Sequence, residues 1–278
     1  MKRALSLLAD IESRDVSHEP FAYVEKHPAI DPALYEQLAR SFPPLALVTG
    51  GRTGFGSNQA VRLRAVDVVD NPKVDPAWRE FFRYHVSQSW WTDIVRAFGT
   101  ELRAAYPSLE DKVGRSLEHW RSVTRDSGER GDVRLDCQFV YNTPATRRST
   151  VKGPHVDRRD KIFSALFYCR SDDDKGEGGD LALYRFRDSP RFDACQAEKK
   201  RIEHTGTIRY GANKLFGFVN SPDSVHAVTA RDVNPVPRRY VNLIVETPYR
   251  AFKLPQMNPL ARVYYWATER DFTRTYRT

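Results

Sequence analysis

The chain has 278 residues and a formal net charge of +8. Hydrophobic residues make up 40% of the sequence and charged residues 29%, a balance that excludes a chain disordered by composition. No uninterrupted apolar stretch reaches the roughly 20 residues that a membrane-spanning helix needs, so no membrane association is predicted. The 3 cysteines are odd in number and lack metal-site spacing, which favours free thiols in a reducing cytoplasm.

Helix signals occur in the first part of the chain, over residues 1–130. Asp31-Pro32 and Asp75-Pro76 each place an N-cap aspartate before a proline at the first helical position. A third helix is predicted from Ser89 to about Tyr106. We expect these helices to brace one sheet of a β core.

Strand signals occupy residues 131–250. Apolar, aromatic-rich runs of strand length recur there, at 133–142, 161–169, 181–184, 214–219 and 238–246. The sequence therefore predicts a single α+β domain over 1–278 with a mainly β core, in which 251–278 forms a C-terminal extension.

Two histidines and an aspartate stand out among these strands. His155 and Asp157 occur in Gly-Pro-His-Val-Asp, and His226 starts a later strand. Residues i and i+2 of an extended segment point to the same side, so His155 and Asp157 could grip one ion. Two imidazoles and a carboxylate are the ligand set of an open-sided ferrous centre. By itself His-x-Asp also arises by chance, and the alternative is a surface turn with His226 unrelated to it.

The motifs over residues 132–247 occur in an order that resembles the iron- and 2-oxoglutarate-dependent dioxygenases, particularly the branch that includes the prolyl hydroxylases. The elements are His-x-Asp, a strand ending Phe-Tyr-Cys-Arg, the segment Gly-Gly-Asp-Leu-Ala-Leu-Tyr, and a distal histidine followed by Arg-Tyr at a strand start. The resemblance implies a double-stranded β-helix, or jelly roll. It also implies that His155, Asp157 and His226 bind Fe(II), with 2-oxoglutarate and O2 as cosubstrates.

An arginine is expected to hold the remote carboxylate of 2-oxoglutarate. That carboxylate would be costly to bury unpaired, and a guanidinium meets it with two parallel hydrogen bonds. Only one of the adjacent residues Arg238 and Arg239 can face inward from a strand. The family pattern places the arginine directly before Tyr240, which favours Arg239, although the spacing from His226 is longer than usual and keeps Arg238 in consideration.

Tyrosines near the cosubstrate are the next expectation. Tyr141 matches a tyrosine that relatives point at 2-oxoglutarate, and the alternative is an ordinary half-buried strand tyrosine. In the following strand, Phe167 stands where a prolyl-hydroxylase-type site has a tyrosine, and Tyr168 is expected to face the other way.

Arginines flank the metal motif, and Arg147 and Arg158 are candidate substrate-binding residues. A basic mouth favours an anionic small molecule, steering of the dianionic cosubstrate, or simply a solvated basic surface. No basic run interleaved with aromatics and no nucleic-acid-binding module is present, so a nucleic-acid substrate is not expected.

The sequence thus predicts an oxygenase that hydroxylates a small metabolite. Two alternatives stay open: a hydroxylase of amino-acid residues in a protein or carrier-bound substrate, and a non-catalytic jelly-roll protein that binds a ligand. Substrate identity, the type of oxidation and the oligomeric state stay open as well.

Overall fold

The computed structural model describes residues 5–193 and 195–254. The expected C-terminal extension lies, from residue 255 onward, outside the described residues. Within them the chain forms six α-helices: α1 (Pro32–Arg40), α2 (Leu45–Val48), α3 (Ala65–Val68), α4 (Pro76–His85), α5 (Gln88–Ala105) and α6 (Leu109–Val113). Short 3-10 helices are formed by Ser13–Asp15, Leu117–His119 and Lys199–Arg201. No helix of this part of the chain is long and apolar enough to cross a membrane.

The predicted caps begin two of these helices. The side chain of Asp31 accepts a hydrogen bond from the backbone N of Leu34, and that of Asp75 accepts one from Ala77. Each cap satisfies a backbone donor that a helix start leaves unpaired. Proline follows both caps at the first helical position, where its missing N–H costs nothing.

Strands make up the rest of the core. They are β1 (Tyr23–Lys26), β2 (Ala60–Arg64), β3 (Ser122–Thr124), β4 (Val133–Asn142), β5 (Lys161–Cys169), β6 (Leu181–Phe186), β7 (Phe192–Asp193), β8 (Gln196–Ala197), β9 (Ile202–Ile208), β10 (Ala212–Val219), β11 (His226–Val228) and β12 (Arg238–Glu246). A seven-stranded sheet has the order β1-β10-β5-β12-β4-β2, with β3 beside β4. A smaller sheet has the order β11-β6-β9.

The chain alternates between the two sheets from β4 onward. It runs from β4 and β5 in the large sheet to β6 and β9 in the small one, returns in β10, crosses in β11 and ends in β12. This is the jelly-roll arrangement that the resemblance implies, and the α+β class with a mainly β core is confirmed.

The two faces of the large sheet pack against different partners. One face meets the helices, where Phe82 lies 4.4 Å from Phe139 and Phe98 lies 5.0 Å from Phe163, measured between ring centres. The opposite face looks into the barrel, where Tyr168 clusters with apolar residues of the small sheet, among them Leu181, Leu183 and Ile208. Because strand side chains alternate, each strand of the large sheet divides its residues between helices and barrel.

Candidate metal centre and active site

His155, Asp157 and His226 converge in the barrel. Each offers one ligand atom, and these atoms all lie within 4.8 Å of one another. A reciprocal pair of backbone hydrogen bonds joins the two histidines: His155 N donates to His226 O over 3.0 Å, and His226 N donates to His155 O over 2.9 Å. These backbone hydrogen bonds bring the two histidines together although they are far apart in the sequence. The contact does not depend on either imidazole ring.

Both imidazole rings are oriented by backbone carbonyls. Nδ1 of His155 lies 2.8 Å from the carbonyl of Gly153, and Nδ1 of His226 lies 2.9 Å from that of Ser224. A carbonyl only accepts, so each Nδ1 carries the proton and each Nε2 carries the lone pair that binds a metal. This pattern fixes the tautomer and the ring direction of a metal-binding histidine.

Asp157 is held on several sides. Its backbone N donates to Asn220 Oδ1 over 3.2 Å. Its Oδ2 accepts from Ser164 Oγ at 2.9 Å and lies 3.4 Å from Lys161 Nζ. Lys152 Nζ lies 3.8 Å from Oδ1. The carboxylate is thus placed by a hydroxyl and two ammonium groups.

The protonation states suit metal binding. Burial opposes ionisation of Asp157, but the positive charge of Lys161 and other nearby groups holds its pKa well below the ordinary value. Burial lowers the pKa of His155 to about 2, with contributions from His226 and Lys152, and burial also lowers that of His226. At neutral pH the centre therefore offers one carboxylate and two neutral imidazoles, the forms that a divalent cation requires.

The donor set fits a divalent ion with an open side. Among the residues that the structure describes, no fourth histidine, cysteine, aspartate or glutamate joins the group. Structural zinc sites are closed by four protein ligands, whereas two histidines and one carboxylate leave coordination positions for other ligands. The residues present therefore fit Fe(II).

The two adjacent arginines of β12 point to opposite faces of the large sheet. Arg238 is buried in the barrel, where its guanidinium lies 4.5 Å from the ring centre of Tyr210 and 4.8 Å from that of Tyr240. Arg239 points to the helices, where Nε donates to Cys169 O over 2.7 Å and Nη2 to Ala39 O over 3.3 Å. The expectation that Arg239 is the arginine that faces inward is therefore wrong, because strand alternation turns Arg238 into the barrel instead.

The same correction applies to the tyrosines. Tyr141 faces the helices, and its hydroxyl donates to Pro43 O over 2.9 Å. Phe167 also faces the helices, packing on Phe81 with ring centres 5.7 Å apart. Tyr168 instead lies in the barrel. If the inward face of a strand is misjudged by one residue, every side chain is assigned to the wrong face. The expected directions of Tyr141 and Tyr168 are therefore wrong for the same reason.

Three buried polar atoms around Arg238 lack hydrogen-bond partners within the described part of the chain. They are the Tyr168 hydroxyl, Arg238 Nε and Asn142 Nδ2. Asn142 is the register partner of Arg238 across β4 and β12, and its Oδ1 accepts from Arg238 Nη1 over 3.2 Å. Burial raises the pKa of Tyr168, so its hydroxyl keeps its proton. Buried donors are nearly always satisfied, so their grouping fits an absent anionic acceptor such as a carboxylate.

A cavity of about 440 Å³ opens beside Lys161, which contacts the metal ligand Asp157. Arg158 lines it, whereas Arg147 is exposed and lies outside the lining. Arg158 also contacts Glu246, with Nη2 3.4 Å from Oε1. The structure thus brings one of the two candidate substrate arginines to the site and leaves the other on the surface.

Comparison with known proteins gives distant structural likenesses. No protein-family model matches the chain, and neither does any curated protein. A prolyl-4-hydroxylase from Pseudomonas putida is similar over 90% of this chain and 100% of its own, at 12% identity and a TM-score of 0.43. A prolyl 4-hydroxylase from Phytophthora capsici is similar over 98% and 74%, at 12% identity and a TM-score of 0.45.

A dioxygenase for auxin oxidation from Arabidopsis thaliana, in complex with 2-oxoglutarate, is also similar. The likeness covers 82% of this chain and 84% of that one, at 11% identity and a TM-score of 0.42. Conclusions about chemistry therefore rest on the geometry of the site itself.

Sequence reasoning missed several residues of the site. Ser164 and Asn220 position Asp157, and Asn142 accompanies Arg238. Ser164 carried a usable signal, because a serine inside the apolar run of β5 needs a partner when buried. Asn142 carried none, since an asparagine at a strand end is equally typical of a turn.

Proposed function

We propose that the protein is an Fe(II)- and 2-oxoglutarate-dependent oxygenase that hydroxylates a small molecule. The observation that carries the proposal is the pairing of an open metal-ligand group with a buried arginine in the same barrel. Around that arginine, three buried donors have no acceptor among the described residues.

His155, Asp157 and His226 would hold the iron through two neutral nitrogens and one carboxylate oxygen. Bound there, Fe(II) would activate O2 and couple the oxidative decarboxylation of 2-oxoglutarate to oxidation of a substrate C–H bond. The protein supplies position and protonation state. Lys161 helps to keep the Asp157 carboxylate ionised, and Ser164 orients it through a hydrogen bond.

Arg238, Tyr168 and Asn142 would bind the remote carboxylate of 2-oxoglutarate. The guanidinium keeps its charge at any ordinary pH and can donate two parallel hydrogen bonds. Tyr168 and Asn142 can each add a donor that is otherwise unsatisfied. Because the pocket is buried, these interactions meet little competition from water and are stronger than they would be at the surface.

The rings of Tyr168, Tyr210 and Tyr240 surround the Arg238 guanidinium at 5.2, 4.5 and 4.8 Å. Cation–π attraction partly compensates the cost of burying the charge. Tyr210 also fixes the backbone at the neighbouring residue, because its hydroxyl lies 3.1 Å from both the N and the O of Arg239. The arginine is therefore held in place before any ligand arrives.

The cavity beside Lys161 is large enough to hold a small-molecule substrate. Its volume of about 440 Å³ falls in the range of pockets that enclose small ligands, roughly 300–1,000 Å³. A jelly-roll protein that only binds a ligand would need neither the open metal-ligand group nor the buried arginine pocket.

The test is Fe(II)-dependent conversion of 2-oxoglutarate to succinate. Anaerobically purified protein is supplied with Fe(II), 2-oxoglutarate, O2 and a panel of candidate metabolites, and succinate is measured. We expect succinate that requires both Fe(II) and 2-oxoglutarate and that rises when the right metabolite is present. Tight ligand binding without succinate from any metabolite, in protein shown to bind Fe(II), would favour the non-catalytic alternative.

A further inference from the structure

The cavity beside Lys161 is lined by an unusual number of cationic side chains. The lining includes two carboxylates, Asp67 and Glu246. It also includes five cationic side chains, those of Arg62, Arg64, Arg125, Arg158 and Lys161. Most small-ligand pockets are mainly apolar with a few polar groups. A lining of this kind indicates a charged occupant.

The cavity is linked to one metal ligand, Asp157, through residues of its lining. Lys161, part of its wall, lies 3.4 Å from Asp157 Oδ2. Its floor includes Ile244, the register partner of Ser164 across β12 and β5, and Ser164 donates to the same carboxylate. A molecule in this cavity would therefore lie beside the residues that hold Asp157.

The cavity and the Arg238 pocket are separate parts of one barrel face. Register pairing puts Arg238 at the start of β12, opposite Asn142, whereas Ile244 and Glu246 lie at its far end. The cavity lining includes neither Arg238 nor Tyr168. The basic cavity is thus distinct from the region assigned to 2-oxoglutarate.

Its charges are unequally compensated. Arg125 and Arg158 share the buried Glu246, with nitrogen–oxygen distances of 3.1 and 3.4 Å. Arg64 pairs with Asp126 near the surface, where an ion pair contributes little. Arg62 forms no ion pair with any residue that the structure describes. Arg62, which is exposed, is therefore the cation of the lining that has no carboxylate partner among the described residues.

Metal binding would increase the positive charge of the cavity. Lys161 now faces the Asp157 carboxylate. A divalent cation bound to that carboxylate would neutralise its negative charge. The positive charge of Lys161 would then be less compensated than it is without the metal. The loaded site would attract anions more strongly than the empty one.

We propose that the substrate is a small anion, bearing a carboxylate or phosphate group, and that Arg62 and Arg64 bind this group. The two arginines are i and i+2 on β2, so they point to one side of the strand, and both line the cavity. Arginine is suited to such groups because its planar fork donates two parallel hydrogen bonds. That the bound anion is the substrate rests on the proposed oxygenase function.

The test measures binding to the Fe(II)-loaded protein without O2, by the ligand-induced rise in Tm. The probes are phosphorylated and carboxylated metabolites, each paired with its neutral counterpart, the dephosphorylated alcohol or the methyl ester. We expect the Tm to rise only with the anionic member of each pair. Comparing the phosphorylated with the carboxylated probes identifies which anionic group the site binds. We expect the affinity for these members to fall at least tenfold in Arg62→Gln, with partial recovery in Arg62→Lys.

Arg147→Gln is the matched control, because it removes an exposed arginine outside the cavity lining. It should keep the wild-type affinity. Equal binding of neutral counterparts, undiminished affinity in Arg62→Gln, or no rise in Tm with any anion would overturn the proposal. Anions that bind through Arg62 but stimulate no succinate formation would instead refute the proposed oxygenase function and leave the anion site standing.

Discussion

The guanidinium of Arg238 lies 5.2 Å from the ring centre of Tyr168, inside the barrel. Asn142 accepts a hydrogen bond from it over 3.2 Å. Within the described residues, no carboxylate forms an ion pair with Arg238, so its charge is held by polar and aromatic groups alone. A buried cation without a counterion is costly, and an anionic ligand would remove that cost. This relationship supports the proposal that Arg238, rather than Arg239, binds 2-oxoglutarate.

Replacement of Tyr168 by phenylalanine should weaken 2-oxoglutarate binding. The change removes one hydroxyl donor but keeps the ring that packs on Arg238. A hydrogen bond to a charged group contributes about 1.5–3 kcal/mol, so we expect an affinity loss of roughly ten- to a hundredfold, measured by calorimetry on the Fe(II)-loaded protein without O2. Tyr141→Phe, on the opposite face of the sheet, is the control and should bind normally. Equal losses in both variants would rule out a specific role for Tyr168.

Replacement of Ser164 by alanine should reduce metal affinity. Ser164 Oγ donates to Asp157 Oδ2 over 2.9 Å, and groups that orient a metal ligand typically contribute about 10–100-fold in metal affinity. Competition with a chromophoric chelator for Fe(II) gives the measurement. Ser41→Ala, at the end of α1, provides a control of the same chemical change. The role of Ser164 would be refuted by unchanged affinity.

Replacement of His155 or His226 by alanine should abolish iron-dependent turnover while leaving the barrel intact. The two segments are joined by backbone hydrogen bonds, which alanine keeps. We therefore expect a wild-type circular-dichroism spectrum, no Fe(II) binding at stoichiometric concentrations and no succinate. Full activity in either variant would remove that residue from the ligand set.

Acid should destabilise the fold through His85. This residue is fully buried in α4, where Nδ1 lies 2.8 Å from Phe81 O and Nε2 accepts from Leu7 N over 3.4 Å. Burial lowers its pKa from 6.5 to about 3. Between these values the unfolded chain binds more protons than the folded one, so the contribution to stability is complete above about pH 6.5 and is lost as pH falls toward 3.

The measurement is the free energy of unfolding by urea as a function of pH. His85→Gln has no titrating ring, so its stability should depend less on pH over this interval, even though its stability at pH 7 is lower. The same pH dependence in both proteins would show that another group dominates acid unfolding.

The positions of the secondary-structure elements could be predicted better than the direction of their side chains. The runs at 133–142, 161–169 and 238–246 coincide with β4, β5 and β12, because long apolar runs between polar segments are strong strand signals. The inward face was misjudged at Arg238, Tyr168 and Tyr141. Both faces of the large sheet are covered, one by helices and one by the small sheet, so hydrophobic alternation does not mark the inside.

Other parts of the site depend on distant contacts and could not be predicted. Arg62 and Arg64 lie in β2, a short edge strand that joins the sheet beside β4, and the local sequence does not indicate this neighbour. The metal ligands His155, Asp157 and His226 could be assigned from the sequence because binding one metal ion requires a fixed set of residue types in a recognisable order. The metal site, which needs a fixed residue pattern, could thus be predicted from the sequence. The basic cavity, which depends on tertiary packing, could not.

The most direct test of the account is the 2-oxoglutarate affinity of Arg238→Gln beside that of Arg239→Gln. Each variant removes one guanidinium from neighbouring positions of β12, and calorimetry on the Fe(II)-loaded protein without O2 measures binding apart from turnover. Loss of one partner of a buried charge pair costs about 2–5 kcal/mol, so we expect Arg238→Gln to bind at least about 30-fold more weakly and Arg239→Gln to bind nearly as well as the wild type. Normal binding by Arg238→Gln, or no 2-oxoglutarate binding by the wild type, would contradict the account.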